Sequence, residues 1–205
     1  MVQSNIRNII FDLGGVILDI DFKRTSDAFK ALGVQNFDAL FSQFHANPLF
    51  TDLECGRITK AEFVDTMKGY AGKELTEKQV IDAWNAILIH FPVQRIELLK
   101  KLRATHRTFL LSNTNAIHAE KFEKMYRDTV GEGSFEDCFE KIYYSHNIGF
   151  RKPNKEAYEV VLNENALKPE ETVFIDDTLP NIEAARALGI TVVHLQPPVD
   201  ITDLF

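Results

Sequence analysis

Hydrophobic and polar positions fall into two textures along this chain. In the first, short apolar runs of strand length recur at 6–11, 108–111, 141–145, 172–175 and 190–195. Runs of this kind, bounded by polar or turn residues, suit strands buried on both faces of a parallel sheet. Between them the apolar period lengthens to three and four. Ile96, Leu98, Leu99 and Leu102 are one such set, and further helices are predicted at 116–128, 154–165 and 180–188, the last closed by Gly189. The stretch 131–137 is polar loop. Strands alternating with helices imply right-handed crossovers and a parallel sheet.

The second texture runs from about 23 to 90. Helical segments are predicted at 23–32, 36–45, 48–54, 59–70 and 76–90, several of them ended by glycine. Thr59 with Glu62, and Thr76 with Gln79, have the spacing of capping boxes. No strand pattern is expected inside this stretch. It reads as a helical insertion of about 65–70 residues, small for an independent domain. Trp84 and the Phe-rich stretch 37–50 are expected to pack its interior.

The strand ends carry the polar groups. The first run ends on Asp12, followed by Gly14 and Gly15; the second on Ser112 and Asn113; the fourth on Asp176 and Asp177. Lys152 follows the third. Parallel strands bring their carboxyl ends to one edge, where ligands of open α/β sheets bind. Each residue alone has a plain structural reading: Asp12 and Ser112 as turn formers, Lys152 as a solvated lysine, Asp176 and Asp177 as helix caps. Together they make three carboxylates, a hydroxyl, an amide and an ammonium. Hard carboxylate oxygens suit Mg²⁺; the hydroxyl, amide and ammonium suit phosphate oxygens. An aspartate so placed is a candidate nucleophile. His90, His118, His146 and His194 form no ligand pattern.

Composition narrows the partners. The 205 residues are 45% hydrophobic, with 16 Phe, enough for a sizeable core, and carry a net charge of −7. That balance argues against nucleic acid and anionic membrane surfaces. Cys55 and Cys138 lack metal or redox spacing and read as free thiols. No signal peptide or membrane span is apparent, so a cytoplasmic location is expected.

Four motifs now stand in order: FDLGG at 11–15, LLSNTN at 110–115, RKP at 151–153 and FIDDTLPNIEAARALGI at 174–190. With the helical block they resemble the haloacid dehalogenase (HAD) superfamily of hydrolases over essentially the whole chain. LSNTN, RKP and the DID at 19–21 look most like the branch containing the α-D-glucose-1-phosphate phosphatases. The resemblance implies an α/β fold: a Rossmann-like parallel five-stranded sheet with helices on both faces, formed by 1–19 and 91–205, and a small helical-bundle cap at 20–90. It implies an Mg²⁺-dependent phosphomonoesterase acting on a small phosphorylated metabolite such as a sugar phosphate; whether as monomer or homodimer is left open. Asp12 would be the nucleophile and a metal ligand. Ser112, Asn113 and Lys152 would meet the phosphate, Lys152 also serving catalysis. Asp177, with Asp176 beside it and the carbonyl of Gly14, would complete the metal site.

One departure stands out. Family phosphatases commonly carry a second aspartate, the general acid, two residues after the nucleophile; this chain has Gly14. Losing a general acid typically costs about 10²–10⁴-fold. Asp19 or Asp21 is a candidate substitute, or the substrate carries a good leaving group. Two alternatives remain open: a metal-independent 2-haloacid dehalogenase, against which the Asp176-Asp177 pair argues, and a catalytically weak relative that binds a phosphorylated ligand or a protein partner. Cap residues at 44–57, among them His45, Asn47, Glu54 and Arg57, are candidates for substrate choice.

Overall fold

A computed structural model describes residues 5–41 and 47–205. In chain order the elements are β1 (Asn8–Phe11), β2 (Asp19–Ile20), α1 (Phe22–Ala31), α2 (Phe37–Leu40), α3 (Pro48–Glu54), α4 (Lys60–Ala71), α5 (Glu77–Asn85), β3 (Leu88–His90), α6 (Val93–Arg103), β4 (Arg107–Ser112), α7 (Ala116–Val130), β5 (Lys141–Tyr144), α8 (Ser145–Ile148), α9 (Lys155–Glu164), β6 (Thr172–Asp176), α10 (Leu179–Ala187) and β7 (Thr191–His194). Single 3₁₀ turns lie at Phe135–Cys138, Pro169–Glu171 and Ile201–Asp203.

The five long strands form one parallel sheet in the order β5-β4-β1-β6-β7, a Rossmann-like α/β arrangement. Alternation along each strand divides its side chains between two layers. Ile9, Phe11, Leu110, Val173 and Ile175 face a cluster completed by α6 and α7. Ile10, Phe109, Leu111 and Phe174 face a cluster completed by α9 and α10. Both faces are therefore covered, which is why the central strands read as continuous apolar runs. The C-terminal turn docks on the first layer, with Ile201 fully buried there. Arg95 ties it down by pairing with Asp200 at 2.7 Å.

Helices α1–α5 gather around a third cluster. Trp84 is its hub: the rings of Phe41, Phe50 and Phe63 lie 4.9, 5.3 and 5.2 Å from it. Both expected capping boxes are present, at Thr59–Glu62 and Thr76–Gln79. The cluster reaches the sheet-bearing part through Ile117 of α7.

Two expectations are corrected. The helix expected over 76–90 ends at Asn85, and Leu88–His90 turns into strand β3, paired antiparallel with β2. The signal was present: Ile87-Leu88-Ile89 is a β-rich run. The helix expected at 36–45 is the single turn α2, with 42–46 outside the described residues. Among the described residues no helix is long and apolar enough to cross a membrane.

Candidate active site

Four strand ends meet at one edge of the sheet. Asp12 follows the last residue of β1, Ser112 ends β4 and Asp176 ends β6. Beyond β5 the chain makes the short helix α8 and returns along 149–153, bringing Lys152 under the same edge. Lys152 is 1% exposed. Its ammonium donates to Asp12 Oδ1 at 2.6 Å and to Asp176 Oδ2 at 2.7 Å, so it joins two strand ends.

The surrounding groups hold that geometry. Asn113 Oδ1 accepts from the Lys152 backbone N–H, and Asn113 Nδ2 donates to the Lys152 carbonyl, both at 2.8 Å. The amide expected to meet phosphate thus clamps the lysine backbone, while also lining the cavity. Asp176 is fully buried and accepts from Lys152, the Thr178 N–H and Asn181 Nδ2. Asp177 sits one residue on, against the glycine turn. Gly15 has φ +76°, and a Cβ there would lie 2.5 Å from Asp177 Oδ2. Only glycine permits that backbone and that approach together.

One carboxylate oxygen from each of Asp12, Asp176 and Asp177 lies within 4.8 Å of the others. Three carboxylates against one ammonium leave two excess negative charges if all are ionised. Burial, opposed by Lys152 and reinforced by Asp176 and Asp177, pushes the Asp12 carboxyl up to about 7. Burial and Asp176 raise that of Asp177 too. Burial disfavours the charged form of Lys152, but Asp12 and Asp176 outweigh it and hold the ammonium above the usual lysine range.

The cluster opens into a cavity of 350 Å³. Asp12, Gly14, Ser112, Asn113, Lys152 and Asp177 line its floor; Asp176, fully buried, does not line it. The apolar side is formed by Ile20, Phe22, Phe41 and Leu88. Asp19 and Asp21 do not line it. Asp19 pairs with Arg95 at 2.8 Å, and Asp21 caps α1 by accepting from the Lys23 N–H. Of the helical candidates, Asn47 caps α3 and Arg57 pairs with Asp52, while His45 lies outside the described residues. Glu54 does reach the cavity, bound to Arg151, a partner that sequence reasoning left without a role although it stands inside a quoted motif. His118 also lines it, with both ring nitrogens engaged, by Asn115 and the Trp84 carbonyl.

The family model of haloacid dehalogenase-like hydrolases matches residues 6–189. The chain is 31% identical over 184 residues to a D-ribitol-5-phosphate phosphatase of Bacteroides thetaiotaomicron, covering 90% of this chain and 89% of that one. It is 27% identical to a sesquiterpene phosphatase of Aspergillus oryzae, covering 94% and 91%. Among solved structures, a HAD-family enzyme of B. thetaiotaomicron, an aspartate-to-alanine mutant in complex with magnesium and inorganic phosphate, superposes with a TM-score of 0.92 at 36% identity and 98% coverage of both chains.

Proposed function

Because the chain belongs to the haloacid dehalogenase-like hydrolase family, we propose that it is a Mg²⁺-dependent phosphomonoesterase that hydrolyses a small phosphorylated metabolite, a sugar or alditol phosphate, through an aspartyl-phosphate on Asp12. The observation that carries this reading is the buried Lys152 ammonium shared between Asp12 and Asp176, with Asp177 in the same carboxylate cluster. The relative that acts on D-ribitol 5-phosphate, and the neighbour solved with magnesium and phosphate, support it.

The donor set fits a hard divalent cation. The cluster's excess of two negative charges matches one, and its ligands are all oxygen. Asp12, Asp177 and the Gly14 carbonyl would hold it, with Asp176 beside them. When bound, the cation supplies charge neutralisation for the phosphoryl oxygens.

The protein groups then divide the work. Lys152 pins Asp12 and offers its positive charge to the phosphoryl group. Ser112 presents its hydroxyl to a phosphoryl oxygen, and Asn113 fixes the backbone that carries Lys152. An Asp12 oxygen attacks phosphorus; the P–O bond to Asp12 forms as the ester P–O bond breaks, and the leaving oxygen takes a proton from water, since Gly14 supplies no acid. Water then attacks the aspartyl-phosphate, releasing phosphate and restoring Asp12. Residues 20–90 act as a cap over this floor, excluding water and selecting the leaving group.

Glucose 1-phosphate, implied by the branch resemblance, and ribitol 5-phosphate are tested on the same panel, together with p-nitrophenyl phosphate. We expect phosphate release that requires Mg²⁺, is abolished by EDTA and falls by at least about 10⁴-fold in Asp12→Asn, the scale on which loss of a nucleophile acts. Release that survives EDTA or Asp12→Asn would overturn the assignment. Halide release from a 2-haloacid without metal would favour the dehalogenase alternative.

A further inference from the structure

The cavity has a second charged feature besides the carboxylate floor. Glu54, the last residue of α3, is 8% exposed, and its Oε2 accepts from Arg151 Nε at 2.8 Å. Both side chains line the cavity. Among the described residues this is the one hydrogen bond either side chain makes, so Glu54 Oε1 and both Nη groups of Arg151 are left for a ligand.

The pair is held from both sides. The end of α3 lies against the backbone of α8: a Cβ on Gly56 would stand 2.3 Å from the His146 carbonyl oxygen. Arg151 adjoins Lys152, whose backbone Asn113 clamps. Packed backbone thereby fixes where both side chains start relative to the phosphate-binding floor.

We infer that Glu54 and Arg151 are the specificity-determining residues of this enzyme, reading the hydroxyl groups of a polyhydroxylated leaving group. The inference rests on the phosphomonoesterase reading and deepens it. A carboxylate oxygen accepts from hydroxyls and guanidinium N–H groups donate to them, so the two free edges suit groups that do both. The ion pair is neutral overall, and a second anionic group would be repelled by Glu54 as much as it is drawn to Arg151. A hydrocarbon tail fares worse, because it would strip water from both edges and return no hydrogen bond. Phe22, Phe41 and Leu88, which line the same cavity, take the C–H edges of the same carbon chain. Burial raises the Glu54 carboxyl above its usual range, with Arg151 opposing, in keeping with a group shielded from bulk water.

The test measures kcat and KM of the Mg²⁺-loaded enzyme for ribitol 5-phosphate, n-pentyl phosphate and p-nitrophenyl phosphate. Wild-type protein should prefer the pentitol ester to the pentyl ester by on the order of 10²-fold or more in kcat/KM, since sites built around hydroxyls reject analogues without them. Glu54→Gln should lower that ratio at least tenfold, with the larger part of the loss in KM for the pentitol ester. Equal use of the two five-carbon esters by wild-type protein overturns the inference without any variant having to fold. So does an unaltered ratio in Glu54→Gln, or a loss confined to kcat. If p-nitrophenyl phosphate is hydrolysed while the preference is absent, the hydroxyl reading alone falls. If no ester is hydrolysed, the phosphatase reading falls with it.

Discussion

Lys152 and Asp12 are bonded to each other yet should move stability in opposite directions. Three carboxylates share one ammonium at the floor of the cavity. Removing the ammonium leaves buried charges uncompensated, a change that typically costs about 3–5 kcal/mol. Removing one carboxylate relieves repulsion, and the amide left by Asp12→Asn would still present an acceptor oxygen to Lys152. In EDTA at pH 7, Lys152→Met should lower the melting temperature by roughly 10 °C, while Asp12→Asn should raise it by a few degrees. Mg²⁺ should recover part of the Lys152→Met loss. Scanning calorimetry of the two variants decides the matter, and shifts of the same sign would contradict the charge count.

Elements place these residues, and turns between elements aim them. The strand ends were legible because apolar runs stop abruptly on Asp12, Ser112 and Asp176, and parallel pairing leaves such ends on a single edge. The capping boxes were legible because their signal is local. The four-residue helix α8 was not, since an element that short carries almost no periodicity, and β3 was passed over although Ile87-Leu88-Ile89 is a β-rich run. Nor was the choice of Glu54 among the helical candidates: it depends on α3 resting on α8, a tertiary contact with no sequence period behind it. Gly15 lies between these cases. A glycine just past a strand-length run marks a turn, but its proximity to Asp177 comes from β6 lying beside β1. Alanine there would adopt an unfavourable positive φ and push Asp177 away. Gly15→Ala should raise the Mg²⁺ concentration for half-maximal phosphate release by on the order of 10-fold or more, as disturbances around ligands do. An unchanged Mg²⁺ requirement would show that Asp177 does not serve the metal.

At the scale of the whole molecule, the helical block and the sheet-bearing part are joined where α5 meets α7. There His118 stacks on Trp84, ring centroids 4.6 Å apart, with its Nε2 3.1 Å from the Trp84 carbonyl oxygen and its Nδ1 3.1 Å from Asn115 Nδ2. Neutral imidazole satisfies both contacts, donating through Nε2 and accepting at Nδ1. Burial pulls this histidine down to about 4, the Trp84 carbonyl opposing weakly. An unfolded histidine titrates near 6.5. Between those values the unfolded chain binds a proton that the folded chain refuses, so stability contributed by neutral His118 is lost as pH falls from about 6.5 towards 4. Asp12 works the other way: its raised carboxyl takes up a proton earlier in the folded protein and so gains stability on acidification. The wild-type profile mixes the two, and the difference between wild type and His118→Gln isolates the histidine. From pH 6.5 to 5 the wild-type protein should lose about 1.5 kcal/mol more than the variant, or roughly 3–6 °C in melting temperature. Parallel pH profiles would mean that His118 is protonated in place, and that the junction between α5 and α7 is not where acid first loosens the molecule.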